Sequence, residues 1–134
     1  MQYDDGLLYA ERRGYEVDEY PCSLKSFCVP VDGTCAIAIN PEKLETRAEK
    51  KAALFHELGH CETGSFYNQY SPCDIRERHE RRAQKWAIKQ LIPEAELKAA
   101  VKRGCSEVWQ LAEYFGVPDD FMLDAIKFYK DKVR

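Results

Sequence analysis

The sequence predicts an α+β domain: an N-terminal helix and a short antiparallel sheet, followed by a helical bundle that carries a His-Glu-x-x-His helix. Three observations lead there. Two strand-like runs, Phe27–Val31 and Thr34–Ile39, flank Asp32-Gly33, a dipeptide that favours a tight two-residue hairpin. Beyond Asn40 the apolar residues recur at helical spacing, punctuated by Gly and Pro. From Ala52 to Cys61 every residue is apolar or Gly except His56, Glu57 and His60, so a buried helix holds three polar side chains that need partners.

The elements follow in order. Asp4 and Asp5 suit the first turn of a helix over about 4–13, and Gly14 suits its left-handed stop. Tyr15–Asp18 alternates apolar and polar residues, as a strand does, and Pro21 ends it. Pro30 lacks an N–H, which puts the strand carrying it at a sheet edge. Asn40-Pro41 reads as the cap and first residue of a long helix that closes near Thr63-Gly64. Residues 64–73 read as a loop carrying Tyr67 and Tyr70. A helix from Asp74 to Leu91 bears an apolar stripe of Ala83, Trp86, Ala87 and Leu91, and a shorter one runs from Glu94 to Arg103. Ser106 caps a helix facing inward through Val108, Leu111, Ala112 and Phe115. Pro118-Asp119-Asp120 opens a last helix with Met122, Ala125, Ile126, Tyr129 and Val133 on one face.

At 134 residues the chain makes one domain, 1–134, within which 106–133 has the look of a helix-turn-helix unit. The net charge is −3, which gives no bulk attraction to nucleic acid or anionic membrane. Two carboxylates at the start of the would-be recognition helix also repel phosphate, so DNA binding is the weaker reading of that unit. No apolar run spans a bilayer, and Met1–Asp5 lacks the features of a signal peptide, so a cytoplasmic location is expected. In reducing cytosol the six cysteines, at 22, 28, 35, 61, 73 and 105, are expected as free thiols. Their spacing matches no structural zinc motif.

His56 and His60 lie four apart, on one helix face, where both imidazoles can grip one metal ion. Glu57 follows the first His and leans over the open side, the place for a general base. A catalytic zinc ordinarily takes a third protein ligand. Glu62, Cys73, Asp74, Glu77, His79 and Glu80 are the candidates. Glu80 fits best because it stands one turn before Ala83 on the inward face of its helix, whereas His79 points elsewhere. His79, Tyr67 and Tyr70 are candidate oxyanion or substrate contacts. Cys61 points away from the ligand face and is not counted among the ligands.

These motifs resemble the ImmA/IrrE family of metallopeptidases from phages and mobile elements. The resemblance rests on Asp32-Gly33-Thr34 with Ala38-Ile39-Asn40, on His56-Glu57-Leu58-Gly59-His60, on Glu80 through Ala83-Gln84 and Trp86-Ala87 to Leu91-Ile92-Pro93, and on Leu111–Val117. It implies a small zincin-like fold, Zn²⁺ on His56, His60 and Glu80, and Glu57 as catalytic base. It also implies a protein substrate, a helix-turn-helix repressor encoded by the same element; the alternative is a regulator that binds the repressor without cutting it. Where the family has Asn or Asp after the Ala of Glu-x-x-Ala, this chain has Gln84, which raises the question of whether the longer side chain still reaches the ligands. An extended substrate is expected to pair with the edge of the 34–39 strand.

Overall fold

The computed structural model describes residues 1–68 and 70–132. Among them the order is α1 (Tyr3–Arg13), β1 (Glu16–Glu19), β2 (Ser26–Val31), β3 (Thr34–Ile39), α2 (Arg47–Thr63), α3 (Cys73–Leu91), α4 (Glu94–Lys102), α5 (Val108–Phe115) and α6 (Asp119–Lys132). Val133, expected on the last helix, lies outside the described residues.

The β2–β3 hairpin turns as its sequence requires. Asp32 and Gly33 both have positive φ, 48° and 79°, the left-handed pair of a tight turn that matches strand twist. The sheet differs from expectation in one respect: it is mixed, not antiparallel. Its order is β1-β3-β2, with β1 parallel to β3 and β2 antiparallel to it. An alternating strand reports which face is buried but not the direction of its partner, so the parallel pairing of β1 was illegible. The consequence reaches function. β3 is central and paired on both sides, so it offers no edge to a substrate, and the free edge beside the His-Glu helix belongs to β2, where Pro30 sits.

The long helix starts later than Asn40-Pro41 suggested. Thr46 is its cap, accepting from the Glu49 N–H at 3.1 Å. Asn40 is instead fully buried in the turn before it. Its amide donates to the carbonyls of Cys22 and Leu24, and its Oδ1 accepts from the Glu42 N–H. The residue that looked like a cap therefore staples the β1–β2 connection to the end of β3. Similarly, α5 is capped by Glu107 with Gln110, one residue on from Ser106.

Helix α2 runs through the middle of the molecule. Leu54, Phe55 and Leu58 are wholly buried among Ile37 and Ile39 of β3, Ala10 of α1 and Ala87 and Leu91 of α3. Burial of each such side chain stabilises by about 1.5–3 kcal/mol. Phe55 stacks on Trp86, and Tyr9 of α1 meets the same indole edge-on. The C-terminal helices pack around Met122, Phe121 and Ala125, and Tyr129 donates to the Ile92 carbonyl at 2.6 Å. Lys51 of α2 is buried but satisfied, its ammonium donating to the Phe115 carbonyl at the end of α5.

Candidate metal centre

Helix α2 presents His56 and His60 one turn apart, with ring centroids 5.0 Å from each other. Helix α3 brings Glu80 against both. Its Oε2 lies 2.6 Å from His56 Nε2 and its Oε1 lies 3.3 Å from His60 Nε2. Gly59 and Ala83 set this approach. A Cβ on Gly59 would lie 2.3 Å from the Ala83 carbonyl oxygen, so only glycine lets the two backbones come this close.

The far sides of both imidazoles are committed to acceptors. His56 Nδ1 donates to Gln84 Oε1 at 2.7 Å, and His60 Nδ1 donates to the Ser65 carbonyl at 2.5 Å. In the neutral imidazole this arrangement places the proton on Nδ1 and turns an Nε2 lone pair toward the Glu80 carboxylate; when the ring is protonated, the same Nε2 donates to that carboxylate. The donor set, two Nε2 and one carboxylate converging from two helices, therefore fits a borderline-soft divalent cation. Gln84 does reach the ligands: its extra methylene places the amide oxygen on His56, while its nitrogen lies 3.3 Å from Asp124 of α6.

Charge follows the geometry. Burial lowers the His56 imidazole pKa, but the hydrogen bond to Glu80, the Glu57 charge and the bond to Gln84 outweigh it and raise the pKa overall. Burial alone would push Glu80 up; hydrogen bonds from His56, His60 and Tyr67 reverse this and hold it well below the usual carboxylate range. Tyr67 donates to Glu80 Oε1 at 2.5 Å, and that bond, with burial, pushes the phenol up to about 12.

Glu57 is 6% exposed and shares a groove with His60 and Glu80. Ser26 Oγ, on edge strand β2, donates to its Oε2 at 2.7 Å. A groove of about 480 Å³ runs between β2 and the 65–67 loop, lined by Ser26, Cys28, Glu57, His60, Tyr67 and Glu80. On the other side of Glu80 a cleft of about 900 Å³ opens between α3 and α6, lined by His56, Gln84, Asp124 and Phe128.

A profile of the Peptidase M78 family, described as the IrrE N-terminal-like domain, matches residues 18–127. The chain belongs to the M78 peptidase family. The match runs from within β1 into α6 and so contains β2, β3, the two helices that carry His56, His60 and Glu80, and Glu57. No curated protein and no solved structure matches the chain significantly. Membership in the M78 peptidases makes protein the substrate class, and no described helix is long and apolar enough to cross a membrane.

Of the residues singled out in the sequence, His56, His60, Glu80, Glu57 and Tyr67 come together. The His79 ring does not join the trio; it stacks on Tyr67 at 6.3 Å, nearly parallel, with Nδ1 buried and unpartnered among the described residues. Tyr70 is 85% exposed and stands outside the cluster. Ser26, Ser65 and Asp124 were missed, because nothing local in the sequence distinguishes them from other polar residues at element ends and on helix surfaces.

The cysteines depart from expectation. Cys35 of β3 and Cys61 of α2 form a disulfide, leaving Cys22, Cys28, Cys73 and Cys105 as thiols. Cys61, one residue past His60, meets Cys35 of the sheet. The pairing joins residues 26 positions apart, which spacing alone does not reveal.

Proposed function

We propose that the protein is a zinc-dependent endopeptidase of zincin-like fold that acts in the cytoplasm on a helix-turn-helix repressor encoded by the same mobile element. The observation that carries the metallopeptidase reading is the convergence of His56 Nε2, His60 Nε2 and the Glu80 carboxylate, with Glu57 beside them and held by a separate hydrogen bond. His56, His60 and Glu80 would hold the zinc, and the ion supplies Lewis acidity at the scissile carbonyl and acidifies the attacking water.

The chain's own residues do the rest. Glu57, turned to the groove, takes the proton of the attacking water and returns it to the leaving amine. Ser26 fixes the carboxylate's rotamer through Oε2, leaving Oε1 for that proton. Tyr67, whose hydroxyl reaches the Glu80 carboxylate, is assigned to the developing oxyanion, and His79 steadies its ring by stacking. The substrate lies extended along the free edge of β2, in the groove over Glu57, and pairs with its backbone by β-augmentation. The 106–133 unit is assigned to docking of the repressor. Asp119 and Asp120 at the start of α6 make it a poor DNA reader.

The test is zinc content and cleavage in parallel. Glu80→Ala and His60→Ala lose the metal, whereas Glu57→Gln keeps it and loses cleavage of the co-expressed repressor by about 10²–10⁴-fold. An intact repressor beside zinc-loaded wild-type protein, under inducing conditions, overturns proteolysis in favour of a regulator that only binds. Zinc retained by Glu80→Ala overturns the ligand assignment.

A further inference from the structure

Three sulfurs from separate parts of the chain meet between the His-Glu helix and the sheet, with Cys28 also lining the groove over Glu57. Cys28 lies on β2, Cys35 on β3 and Cys61 on α2, and their Sγ atoms all lie within 4.8 Å of one another. The fold brings them together. In the hairpin Cys28 faces Ile37 and Pro30 faces Cys35, so Cys28 and Cys35 are diagonal neighbours on one face of the sheet. Helix α2 packs on the sheet and lays Cys61 against that pair. Cys35 and Cys61 are bonded, and Cys28 is the free third member.

Cys28 is poorly placed to pair with Cys35. Diagonal neighbours on paired strands have Cα atoms about 7–8 Å apart, beyond the usual reach of a disulfide. Its thiol also sits well above the ordinary range, first through burial and then through the charge of Glu57, so it is a weak nucleophile. A metal ion asks for a looser geometry. With metal–sulfur bonds of about 2.3 Å it joins sulfurs that stand roughly 4 Å apart.

We propose that, once the Cys35–Cys61 bond is reduced, Cys28, Cys35 and Cys61 form a three-thiolate site for a soft, thiophilic d¹⁰ cation, separate from the His56/His60/Glu80 centre. The reduction is carried by a dithiol. Its thiolate attacks one sulfur of the bond, its second thiol closes the reagent's own disulfide, and Cys35 and Cys61 each leave as a thiol. The two electrons come from the dithiol, and so do the two protons. A divalent cation then takes three thiolates, and three protons pass to the buffer. Burial and the nearby Glu57 charge favour the protonated Cys28, so only a cation with high sulfur affinity displaces that proton. This selects soft ions over magnesium or calcium.

The site also touches the base. Glu57 is bonded by Ser26 and lies against Cys28, both on β2. An ion held by Cys28 removes the S–H that faces the carboxylate. The site itself stands whether or not the chain is a peptidase.

Cadmium alone is the probe, added to metal-free protein that has been reduced with a dithiol and freed of it anaerobically. The readout is the ultraviolet thiolate-to-cadmium charge-transfer band. A Glu80→Ala background removes the histidine centre from the count. The band is expected to saturate at one cadmium per chain, and the unreduced protein should give none. Cys28→Ser and Cys61→Ser, each shown to be folded by circular dichroism, should cut the amplitude by about a third and weaken binding at least about tenfold. Replacing Cys22, Cys73 and Cys105 together by Ser should leave the band intact. No saturating band in the reduced protein, a band indifferent to Cys28→Ser, or one lost with the other three cysteines would each overturn the proposal. Zinc retention in unreduced protein reads the histidine centre independently, so one failure is not mistaken for the other.

Discussion

Gly59→Ala tests how the two helices that carry the proposed metal ligands are spaced. The new Cβ would stand 2.3 Å from the Ala83 carbonyl oxygen, 2.9 Å from its carbon and 3.0 Å from its Cα. All three are backbone atoms, so no rotamer change relieves the clash. Bringing the shortest distance to an ordinary 3.4 Å requires about 1 Å of separation between α2 and α3. Overpacking of this kind costs about 1–3 kcal/mol, with a backbone partner placing it at the upper end. The helix itself gains about 1 kcal/mol when Gly becomes Ala. The net loss is therefore about 1–2 kcal/mol, a fall of several degrees in the melting temperature of the metal-free protein. The effect on the site is larger in proportion. Metal–ligand distances tolerate about 0.2 Å, and Glu80 sits one helical turn before Ala83, so it is carried away from both imidazoles. Zinc affinity, measured against a competing chelator, should drop by at least about tenfold. Gly14→Ala at the end of α1 is the control: φ there is +79° with open space around it, so it costs about 1 kcal/mol of backbone strain and leaves zinc affinity alone. An unchanged melting temperature in metal-free Gly59→Ala would refute the close contact. A lowered one with zinc affinity intact would refute the claim that this contact sets the ligand spacing.

Three further outcomes follow from the same geometry. Thiol titration of denatured, unreduced protein should count four, and six only after reduction; closing the 26-residue separation contributes about 3.5 kcal/mol by chain entropy, so the reduced protein should melt lower. Asn40→Ala leaves the Cys22 and Leu24 carbonyls and the Glu42 N–H without their side-chain partner in a fully buried turn, and should cost about 2–4 kcal/mol in denaturant unfolding. Glu62 is pushed up by burial, but hydrogen bonds from Arg13 and Tyr15 hold its carboxyl below the ordinary 4.5, so the stability it gives is full above 4.5 and is lost as pH falls through the lower folded value. Glu62→Gln should thus melt below the wild type at neutral pH, and the gap should close on acidification; a gap that widens in acid would contradict the sign.

The sequence made the site more legible than the sheet. His56, Glu57 and His60 announce themselves because polar residues in an otherwise apolar helix demand an explanation, and Glu80 follows from its register with Ala83. Asp32-Gly33 announces the hairpin because few residue pairs accept two positive φ values. What stayed hidden depends on long-range packing. Asn40-Pro41 carries the signature of a helix start, yet the buried loop at 22–24 needed an amide more than the helix needed that cap. The direction of β1, the meeting of Cys35 with Cys61 and the reach of Asp124 to Gln84 join residues about 20 to 40 apart in sequence, and no periodicity encodes such partners.

The two requirements of the proposed catalysis, a metal site and a base, fall to different parts of the fold, and this has a consequence for how the site fails. The ligands are spaced by α2 against α3, through Gly59 and Ala83, and are oriented from behind by Gln84 and Ser65. Glu57, the proposed base, is oriented from the sheet, by Ser26 on β2. Ser26 makes no bond to the ligand trio, and Gln84 makes none to Glu57 among the described residues. Gln84→Ala should therefore weaken zinc binding while leaving Glu57 oriented. Ser26→Ala should keep zinc while freeing the carboxylate to rotate, an effect seen in turnover and not in metal content. Strand β2 is also the edge assigned to the substrate. A peptide seated there would press on the strand that aims the base, so substrate docking and base alignment share one element while metal loading proceeds without either. If Ser26→Ala lost zinc as readily as Gln84→Ala does, the two supports would be one, and this division of the site would be wrong.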